Sequence, residues 1–422
     1  MSMTTHQRNM TGRRALIIGG SLGGLFAAHL LRSIGWQADV FERSTEDLAG
    51  RGAGLGTFDA LGEIMRRIGI DADTSLGVHT HSYVWIDPQD RVACELHLPR
   101  IMTAWAQIYR PLKEALPAQH FHSNKSFISV EEDALGVTAV FADGTRATGD
   151  LLIAADGARS TVRNQVAPQI KPTYAGYIAW RGLTVEADVA ADPRALLFSR
   201  NAFCIPGGEL MVSYPVPGRD GDLSIGKRDY NIVWYRPTEG AALADLNTDA
   251  SGRRHEQIPP PLIRDDVIAA VKADARALLA PMIAEIFAHG GRPIFQPISD
   301  LVSPQLVFGR IALLGDAAFV ARPHAGVGVT KAALDAACLA DALMANQDLD
   351  AALAVYNDAR QRAGAWAVAR SAAFGAWVSG EVSRNRMPAA EEARRSERVF
   401  REYAALHGEV ADWAKLPHDG SP

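Results

Sequence analysis

The stretch that decides the fold is Ala15-Leu16-Ile17-Ile18 followed by Gly19-Gly20-Ser21-Leu22-Gly23-Gly24. The apolar run predicts a buried strand, and a helix-like segment, 22–34, begins directly after it. A second predicted strand, 38–41, completes a strand–helix–strand unit. A glycine turn between strand and helix lets the backbone approach a pyrophosphate, which the helix N-terminus then holds. This opening therefore predicts a dinucleotide site at Gly19, Gly20, Ser21, Leu22 and Gly24.

Glu42 strengthens the prediction of a dinucleotide site. It directly follows the second predicted strand, where a carboxylate can accept both hydroxyls of an adenosine ribose. Ser21 replaces the middle glycine of the usual G-x-G-x-x-G pattern, but serine is small and its hydroxyl could itself reach a phosphate. The neighbouring Arg43 is included in the predicted site. These residues alone do not distinguish FAD from NAD.

The composition is typical of a globular protein with a large core. The chain has 422 residues, of which 48% are hydrophobic, enough for about two or three domains. With 43 basic and 48 acidic residues and no basic stripe, we expect no nucleic-acid partner. Three widely spaced cysteines predict neither a disulfide framework nor a metal site. The polar start and the lack of an apolar run of about 20 residues predict a cytoplasmic protein that does not enter a membrane.

The rest of the chain divides by its pattern of strands and helices. The segments 127–130, 137–141 and 151–154 predict an antiparallel set of strands. From residue 174 strands dominate, and a long helix is predicted over 328–344. We expect a nucleotide-binding domain over 13–173 with a small piece of the substrate domain near 75–100, a substrate-binding sheet domain over 174–295, a return to the nucleotide-binding domain over 296–345, and a helical C-terminal region over 346–422.

Two later motifs join the opening turn. Asp156-Gly157-Ala158-Arg159-Ser160 follows a predicted strand, and Gly315-Asp316-Ala317-Ala318 precedes Gly326-Val327-Gly328 and the long helix. In this order, the three motifs resemble those of the FAD-dependent aromatic hydroxylases, the class A single-component flavoprotein monooxygenases. The resemblance covers about 13–345. It implies an α/β, p-hydroxybenzoate hydroxylase-like fold, in which a Rossmann-like FAD-binding domain carries an inserted β-sheet substrate domain and a helical C-terminal tail.

The resemblance also implies how the cofactor is held. In this family the first late motif touches FAD and the pyridine nucleotide, and the aspartate of the second holds the flavin ribitol. The helix after it points its N-terminus at the isoalloxazine, where it stabilises the negative charge of reduced flavin. FAD is expected to be non-covalent. Beyond the opening turn, the implied cofactor-binding residues are Arg51, Arg110, Asp156, Gly157, Asp316, Ala325, Gly326, Val327, Gly328 and Val329.

The resemblance further implies the reaction. One dinucleotide fingerprint is visible and not two, so NAD(P)H is expected to bind transiently as a co-substrate. The implied chemistry is insertion of one atom of molecular oxygen into an aromatic ring through a flavin C4a-hydroperoxide. A homodimer is common in this fold and is expected here.

Three segments, 172–182, 213–218 and 322–325, narrow the substrate. They are similar to those of pyridine hydroxylases within the family, which implies a small hydroxylated N-heteroaromatic ring resembling 2,6-dihydroxypyridine. A carbocyclic phenol, a salicylate-like acid or a larger aromatic such as a polyketide remains an alternative, as does an oxygen-independent flavin oxidoreductase.

Two side chains are predicted to act on the substrate. His324 lies between the Asp316 motif and the flavin-facing helix, where a neutral imidazole can take a proton from a ring hydroxyl; a packed histidine is the alternative. Tyr214 lies on a strand of the predicted substrate domain and could bond the substrate, or be a core residue. Arg181 could pair a substrate carboxylate or form a structural ion pair. Phe319 stands where many family members carry histidine, which leaves the proton path open. Four further side chains are candidates for either pocket or sheet core: Trp180, Phe203, Cys204 and Trp234.

Overall fold

The structure of the protein is a computed structural model that describes residues 12–48, 54–71, 76–379 and 389–415. The strands of these residues are β1 Arg14–Ile18, β2 Gln37–Phe41, β3 Gly54–Gly56, β4 Val78–Ile86, β5 Val92–Ala104, β6 Phe121–His122, β7 Phe127–Glu132, β8 Val137–Phe141, β9 Arg146–Gly149, β10 Leu151–Ala154, β11 Thr173–Val185, β12 Arg200–Cys204, β13 Leu210–Val216, β14 Asp229–Pro237, β15 Ile294–Val302, β16 Val307–Phe308, β17 Ile311–Leu313 and β18 Phe319–Val320. The helices are α1 Leu22–Ser33, α2 Asp59–Arg67, α3 Trp105–Ala115, α4 Thr161–Val166, α5 Ala191–Leu197, α6 Gly240–Leu246, α7 Asp265–Leu278, α8 Pro281–His289, α9 Gly328–Ala345, α10 Leu349–Ser379 and α11 Ala389–Lys415.

A six-stranded sheet forms the nucleotide-binding part. Its strand order is β16-β17-β10-β1-β2-β6, and every neighbouring pair is parallel except β16 with β17. The side chains of β10 are wholly buried, as expected for a central parallel strand covered on both faces. The opening turn therefore lies at the carboxyl end of β1, beside the ends of β2 and β10, where such sheets bind ligands.

One predicted strand pairing is wrong. Leu151–Ala154 lies in the parallel sheet between β1 and β17, and not in the antiparallel set with 127–130 and 137–141. The third antiparallel strand is Arg146–Gly149, which completes the sheet β7-β8-β9. The physical reason is the apolar character of both faces of β10, which suits a buried parallel strand rather than an edge of a small sheet.

A nine-stranded sheet of order β18-β15-β11-β14-β13-β12-β4-β5-β3 separates two cores. On one face, Trp180 and Trp234 pack with α7 and α8. On the other face, Tyr235 and Phe203 join the core of the nucleotide-binding part. Strand residues alternate between faces, so Cys204 lies with the helix-side core and not in the pocket. The domain boundaries given above remain predictions.

The C-terminal helices α10 and α11 pack against this second face. Phe400 and Tyr403 of α11 contact Phe203 edge-on, with ring centroids 5.3 and 4.8 Å apart. Tyr403 also contacts Phe374 of α10 at 5.2 Å. None of the helices within the described ranges is long and apolar enough to cross a membrane. The same residues contain no group of three or more His, Cys, Asp or Glu side chains that could hold a metal ion.

Candidate active site

The opening turn brings β1, α1 and the end of β10 into close backbone contact. Gly19 has a φ of +110°, and a Cβ at this position would lie 2.4 Å from the carbonyl oxygen of Ala155. A Cβ at Gly24 would lie 1.9 Å from the carbonyl oxygen of Gly19. Glycine is therefore required at both positions, because a larger residue would collide with the backbone of the turn.

Glu42 lies at the carboxyl end of β2, against the turn. One carboxylate oxygen accepts the backbone N–H of Gly20 at 2.8 Å and the other accepts that of Ser44, also at 2.8 Å. Ser21 precedes α1 and makes no side-chain capping bond to it. The side chain of Leu22 is buried, so only its backbone can face a ligand.

The predicted arginines lie at the periphery of this site. Arg43 is exposed just after β2. Arg110, on α3, is 38% exposed and its Nη2 is 3.3 Å from Asp220 Oδ1. Arg51 lies outside the described residues. The cofactor contacts predicted for these arginines remain predictions.

The observed contacts of Asp156 are those of a helix cap. Its Oδ2 accepts the backbone N–H groups of Thr161 at 2.7 Å and Val162 at 3.2 Å, at the start of α4. Burial raises the pKa of Asp156, because desolvation opposes its charge. Gly157, with a φ of +81°, turns the chain away from β10. The cofactor contact predicted for this pair remains a prediction.

Arg163 joins the two late motifs and was not singled out from the sequence. Its side chain is 1% exposed. Its guanidinium donates to the carbonyl oxygens of Ala158 at 2.8 Å, Ala317 at 3.0 Å and Ile170 at 3.2 Å. Arg163 thus fixes the loop after β10 against the loop after β17.

Asp316 faces the cavity described below, with its side chain 52% exposed. Its Oδ1 lies 3.8 Å from Nζ of Lys331, which is fully buried on α9. The same ammonium lies 3.8 Å from Asp335 Oδ2. Asp335 accepts the Nε–H of Arg360 at 2.7 Å and the backbone N–H of Gly315 at 3.0 Å. A layer of alternating charges therefore underlies the Asp316 loop.

The start of α9 points into the same space. Gly326 has a φ of +65°, and residues 326–329 line the cavity. Ala325 is buried beside them. Because α9 is 18 residues long, its first N–H groups offer a strong site for negative charge.

A cavity of about 1090 Å³ lies between the second face of the nine-stranded sheet and these loops. It exceeds the size of an ordinary drug-sized pocket, so it suits a large cofactor ring together with a small substrate. The glycine turn, the carboxylate of Glu42 beside it and the N-terminus of α9 fit FAD.

His324 does not line the cavity. Its ring is fully buried behind Tyr235, at a centroid separation of 4.2 Å, and its Nε2 is 2.7 Å from the hydroxyl oxygen of Tyr177. Burial, together with the nearby Arg322 guanidinium, lowers the pKa of His324 to about 3. Its predicted role as proton acceptor remains a prediction, although this placement keeps the ring from a substrate in the cavity.

Tyr214 and Arg181 both line the cavity. The Tyr214 hydroxyl donates to the carbonyl oxygen of Gly54 at 2.9 Å, which joins β13 to β3. Arg181 makes no ion pair with any carboxylate in the described ranges. The structural ion pair that was considered for Arg181 is therefore absent from the described residues. Its guanidinium is free to bind a ligand.

The polar side chains of the cavity wall that were not predicted include Tyr83, Arg100, Tyr235, Tyr403 and His407. Tyr403 and His407 lie on α11, which was predicted from the sequence only as part of a helical tail. Their signal was the helical spacing of Phe400, Tyr403 and His407, which places all three on one face.

Comparisons with known proteins agree with this geometry. Residues 13–203 match the model of an FAD binding domain family, and residues 174–300 match an FAD binding domain-like family. The chain is 31% identical over 352 residues to a 2,6-dihydroxypyridine 3-monooxygenase of Paenarthrobacter nicotinovorans, which covers 81% of this chain and 86% of that protein.

Two solved structures show the same fold. A 2,6-dihydroxypyridine-3-hydroxylase from Arthrobacter nicotinovorans superposes with a TM-score of 0.82 at 28% identity, over 90% of this chain and 96% of that one. Klebsiella pneumoniae HpxO, complexed with FAD and uric acid, gives 0.74 at 22% identity, over 95% and 96%. The predicted α/β fold and FAD as the cofactor are confirmed.

Proposed function

This chain belongs to the FAD-dependent aromatic hydroxylases, the class A flavoprotein monooxygenases, and from that premise we propose that it hydroxylates a small hydroxylated N-heteroaromatic ring resembling 2,6-dihydroxypyridine. One observation carries this choice of ring. Over 352 aligned residues, most of both lengths, the chain is 31% identical to a relative named for 2,6-dihydroxypyridine. NAD(P)H, typical of this family, would supply the electrons.

The polar side of the cavity supports a ring that carries ionisable hydroxyls. Its wall combines the guanidinium groups of Arg100 and Arg181 with the phenols of Tyr83, Tyr214 and Tyr235. Guanidinium groups stabilise an oxyanion, and phenols can accept or donate a hydrogen bond to a ring oxygen. An electron-rich anionic ring is also the form that an electrophilic oxygen attacks most readily.

The chain itself would bind FAD, orient the substrate ring and shield it from water. The Gly19 turn and the N-terminus of α1 would hold the pyrophosphate of FAD, Glu42 the ribose, Asp316 the ribitol, and residues 326–329 the flavin ring. Bound FAD supplies the oxygen-activating chemistry, which no protein side chain provides. The sheet and α11 would exclude water from the ring.

Tyr214 and His324 receive different roles in this proposal. The Tyr214 side chain lines the cavity, and its O–H donates to the carbonyl oxygen of Gly54. Its hydroxyl oxygen could still accept a hydrogen bond from the substrate. His324 supports the wall through Tyr177 and Tyr235, so its contacts favour a positioning role over direct proton transfer.

A ring that bears a carboxylate, such as a salicylate-like acid or a carboxylated pyridine, is a second candidate. It is favoured by the lack of a carboxylate partner for Arg181 among the residues described above. A bidentate arginine–carboxylate pair would fix the ring orientation strongly.

The test is NAD(P)H oxidation by the FAD-loaded protein with a panel of hydroxypyridines, carboxylated hydroxypyridines, phenols and salicylate. We expect strong stimulation by one dihydroxypyridine and a product heavier by one oxygen atom. Stimulation by carboxylated rings alone would favour the second candidate. Turnover without oxygen would instead identify an oxygen-independent oxidoreductase.

Two further properties belong to this proposal. We expect a homodimer, which light scattering of the purified protein would measure. We also expect a cytoplasmic location, which fractionation of the native cells would test.

A further inference from the structure

Among the described residues that line the cavity, His407 is the one histidine. It is 9% exposed, and its Nδ1 lies 3.2 Å from the hydroxyl oxygen of Tyr83 on β4. Its Nε2 points toward the loop before α9, since a Cβ at Gly326 would lie 3.8 Å from that atom. The ring also bonds the backbone of Tyr403, one turn earlier on α11. Because Gly326 lines the cavity, Nε2 is the nitrogen that faces a ligand there.

Aromatic packing holds the His407 ring in place. The Tyr83 ring meets it edge-on at a centroid distance of 5.4 Å, and the Tyr403 ring, one turn earlier on α11, at 4.7 Å. Tyr403 in turn packs against Phe203 and Phe374. A ring held by packing and by a hydrogen bond to one nitrogen presents the other nitrogen in a fixed direction.

The charges around His407 suit an anionic ring. Arg100 stacks on Phe58 at 4.1 Å and lies near His407 and Tyr83. Burial first, and Arg100 second, lower the pKa of His407 well below its usual range, against a smaller rise from its hydrogen bond to the Tyr403 backbone. The imidazole of the free protein is therefore neutral at physiological pH. The acidic side chains found along the described cavity wall are Asp316 and Glu256. Neither of these two carboxylates forms an ion pair with Arg100 or Arg181.

We propose that His407 is the catalytic base that takes the proton from a ring hydroxyl of the substrate, with Tyr83 as its positioning residue. This inference rests on the proposed function, because it assumes a hydroxylated aromatic ring in the cavity. The O–H bond of the ring hydroxyl breaks, an N–H bond forms at Nε2, and the electron pair stays on the ring oxygen. The phenolate so formed pairs with the imidazolium and is stabilised by Arg100. Its negative charge offsets the desolvation and the Arg100 charge that lower the pKa of His407 in the free protein.

The contrast with His324 rests on access. Nε2 of His324 is already bonded to Tyr177, and its Nδ1, buried, has no hydrogen-bond partner among the described residues. His324 is fully buried and does not line the cavity in which the substrate would lie. His407 lines the cavity directly. It lies on α11, which was predicted from the sequence only as part of a helical C-terminal region.

The first experiment measures the ionisation of a bound phenol and does not require the true substrate. A nitrophenol, whose anion absorbs visible light, is titrated into the FAD-loaded protein under anaerobic conditions at a pH below the ligand's own pKa. We expect the wild type to bind the anion, and His407→Asn to bind the neutral phenol with at least a tenfold smaller anion signal. Asn keeps a polar atom near Nδ1 for Tyr83 but removes the proton acceptor at Nε2.

Two variants separate chemistry from folding. His289→Asn, at an exposed position on α8, is the matched control and should retain the full anion signal. Tyr83→Phe keeps the ring packing, loses the hydroxyl, and should lower the signal in part. If His407→Asn does not fold, His407→Gln takes its place and should show the same loss.

The outcomes distinguish this inference from the proposed function. Equal anion signals in the wild type and in His407→Asn, or no binding of the nitrophenol by the wild type, would overturn the role of His407. With a hydroxypyridine that stimulates NAD(P)H oxidation, His407→Asn should lower kcat about 100-fold or more. It should regain activity at a pH where the free substrate is ionised. A wild type that ionises nitrophenol but is stimulated by no hydroxypyridine would reject the proposed ring and leave the base in place.

Discussion

Arg163 donates a hydrogen bond of 3.0 Å to the carbonyl oxygen of Ala317, across 154 residues of sequence. The bond links the loop that follows β10 to the loop that follows β17. Both loops border the cavity, and the second carries Asp316. A single buried guanidinium therefore sets the distance between two motifs that are both predicted to touch FAD.

Arg163→Lys should loosen this link. One ammonium cannot reach the three carbonyl oxygens that the guanidinium contacts. We expect the free energy of unfolding to fall by about 2–4 kcal/mol, because buried acceptors lose charged donors. Thermal unfolding and FAD fluorescence titration would measure stability and affinity. Arg66→Lys, on the exposed side of α2, is the control. Unchanged FAD affinity would show that the link does not shape the cofactor site.

Glu42→Gln should weaken FAD binding by about 10- to 100-fold, or about 1.4–2.7 kcal/mol. Both carboxylate oxygens accept backbone N–H groups, from Gly20 and Ser44. A Gln side chain must turn its NH₂ toward one of these donors, which disturbs the turn as well as the ribose contact. Equilibrium dialysis of FAD measures the change, with Glu63→Gln on α2 as the exposed control. An affinity equal to that of the wild type would argue against a ribose role for Glu42.

The opening unit was predictable because its determinants are local. An apolar run, a turn that tolerates only glycine at Gly19, and a helix start all lie within a few residues of each other. The position of Glu42, directly after β2, was predictable for the same reason, and its ribose contact stays a prediction. The motif at Asp316 needed the resemblance to a family, because its neighbours give no local reason for a cofactor contact.

The substrate side could not be predicted in the same way. Tyr83 and His407 are 324 residues apart in the chain and meet only because α11 packs across the sheet. Sequence pattern placed His324 near the site but could not show that its side chain turns behind Tyr235. Trp180 and Cys204 illustrate the same limit, since the face that a strand residue adopts depends on which side the helices cover.

Lys331→Met should change how FAD binding depends on pH. The Lys331 ammonium has no hydrogen-bond partner in the described part of the chain, and it lies 3.8 Å from Asp316 and from Asp335. Desolvation raises the pKa of Asp316, and the Lys331 charge opposes that rise. Without the ammonium the pKa of Asp316 rises further, so the carboxylate is lost at a higher pH. FAD affinity should therefore begin to fall at a higher pH in the variant than in the wild type.

Titration of FAD binding between pH 5 and 8 tests the role of Lys331. Lys227→Met is the control, because Lys227 is 69% exposed. Parallel pH profiles for the wild type and Lys331→Met would mean that the ammonium does not act on Asp316.

His324 should make folding stability depend on pH. Burial lowers its pKa to about 3, against about 6.5 in an unfolded chain. The unfolded state therefore binds more protons between these values, so the stability due to this group is complete above pH 6.5 and is lost as the pH falls toward 3. At about 1.4 kcal/mol per pH unit, the loss between pH 6.5 and 5 is about 2 kcal/mol.

His324→Gln should remove this pH dependence and keep a hydrogen bond to the Tyr177 hydroxyl. Urea unfolding at pH 7.5 and pH 5 gives the comparison. Between pH 7.5 and pH 5, the free energy of unfolding should fall by about 2 kcal/mol more in the wild type than in the variant. His289→Gln, at an exposed position, should behave as the wild type does. An equal loss in His324→Gln would show that His324 carries its charge in the folded protein.

Arg181→Gln should separate substrate binding from cofactor binding. The guanidinium lines the cavity on β11 beside Tyr214 and Tyr235, and its charge lowers the pKa of both phenols against the larger rise that burial causes. A charged hydrogen bond to an anionic ring is worth about 1.5–3 kcal/mol, so KM should rise about 10- to 150-fold. FAD affinity should stay the same, because the predicted FAD contacts lie on the nucleotide sheet, the Asp316 loop and the start of α9. Arg276→Gln, which is 52% exposed on α7, controls for the loss of charge. A lower kcat at unchanged KM would instead assign Arg181 to the ionised ring in the transition state, since only an interaction made there changes kcat alone.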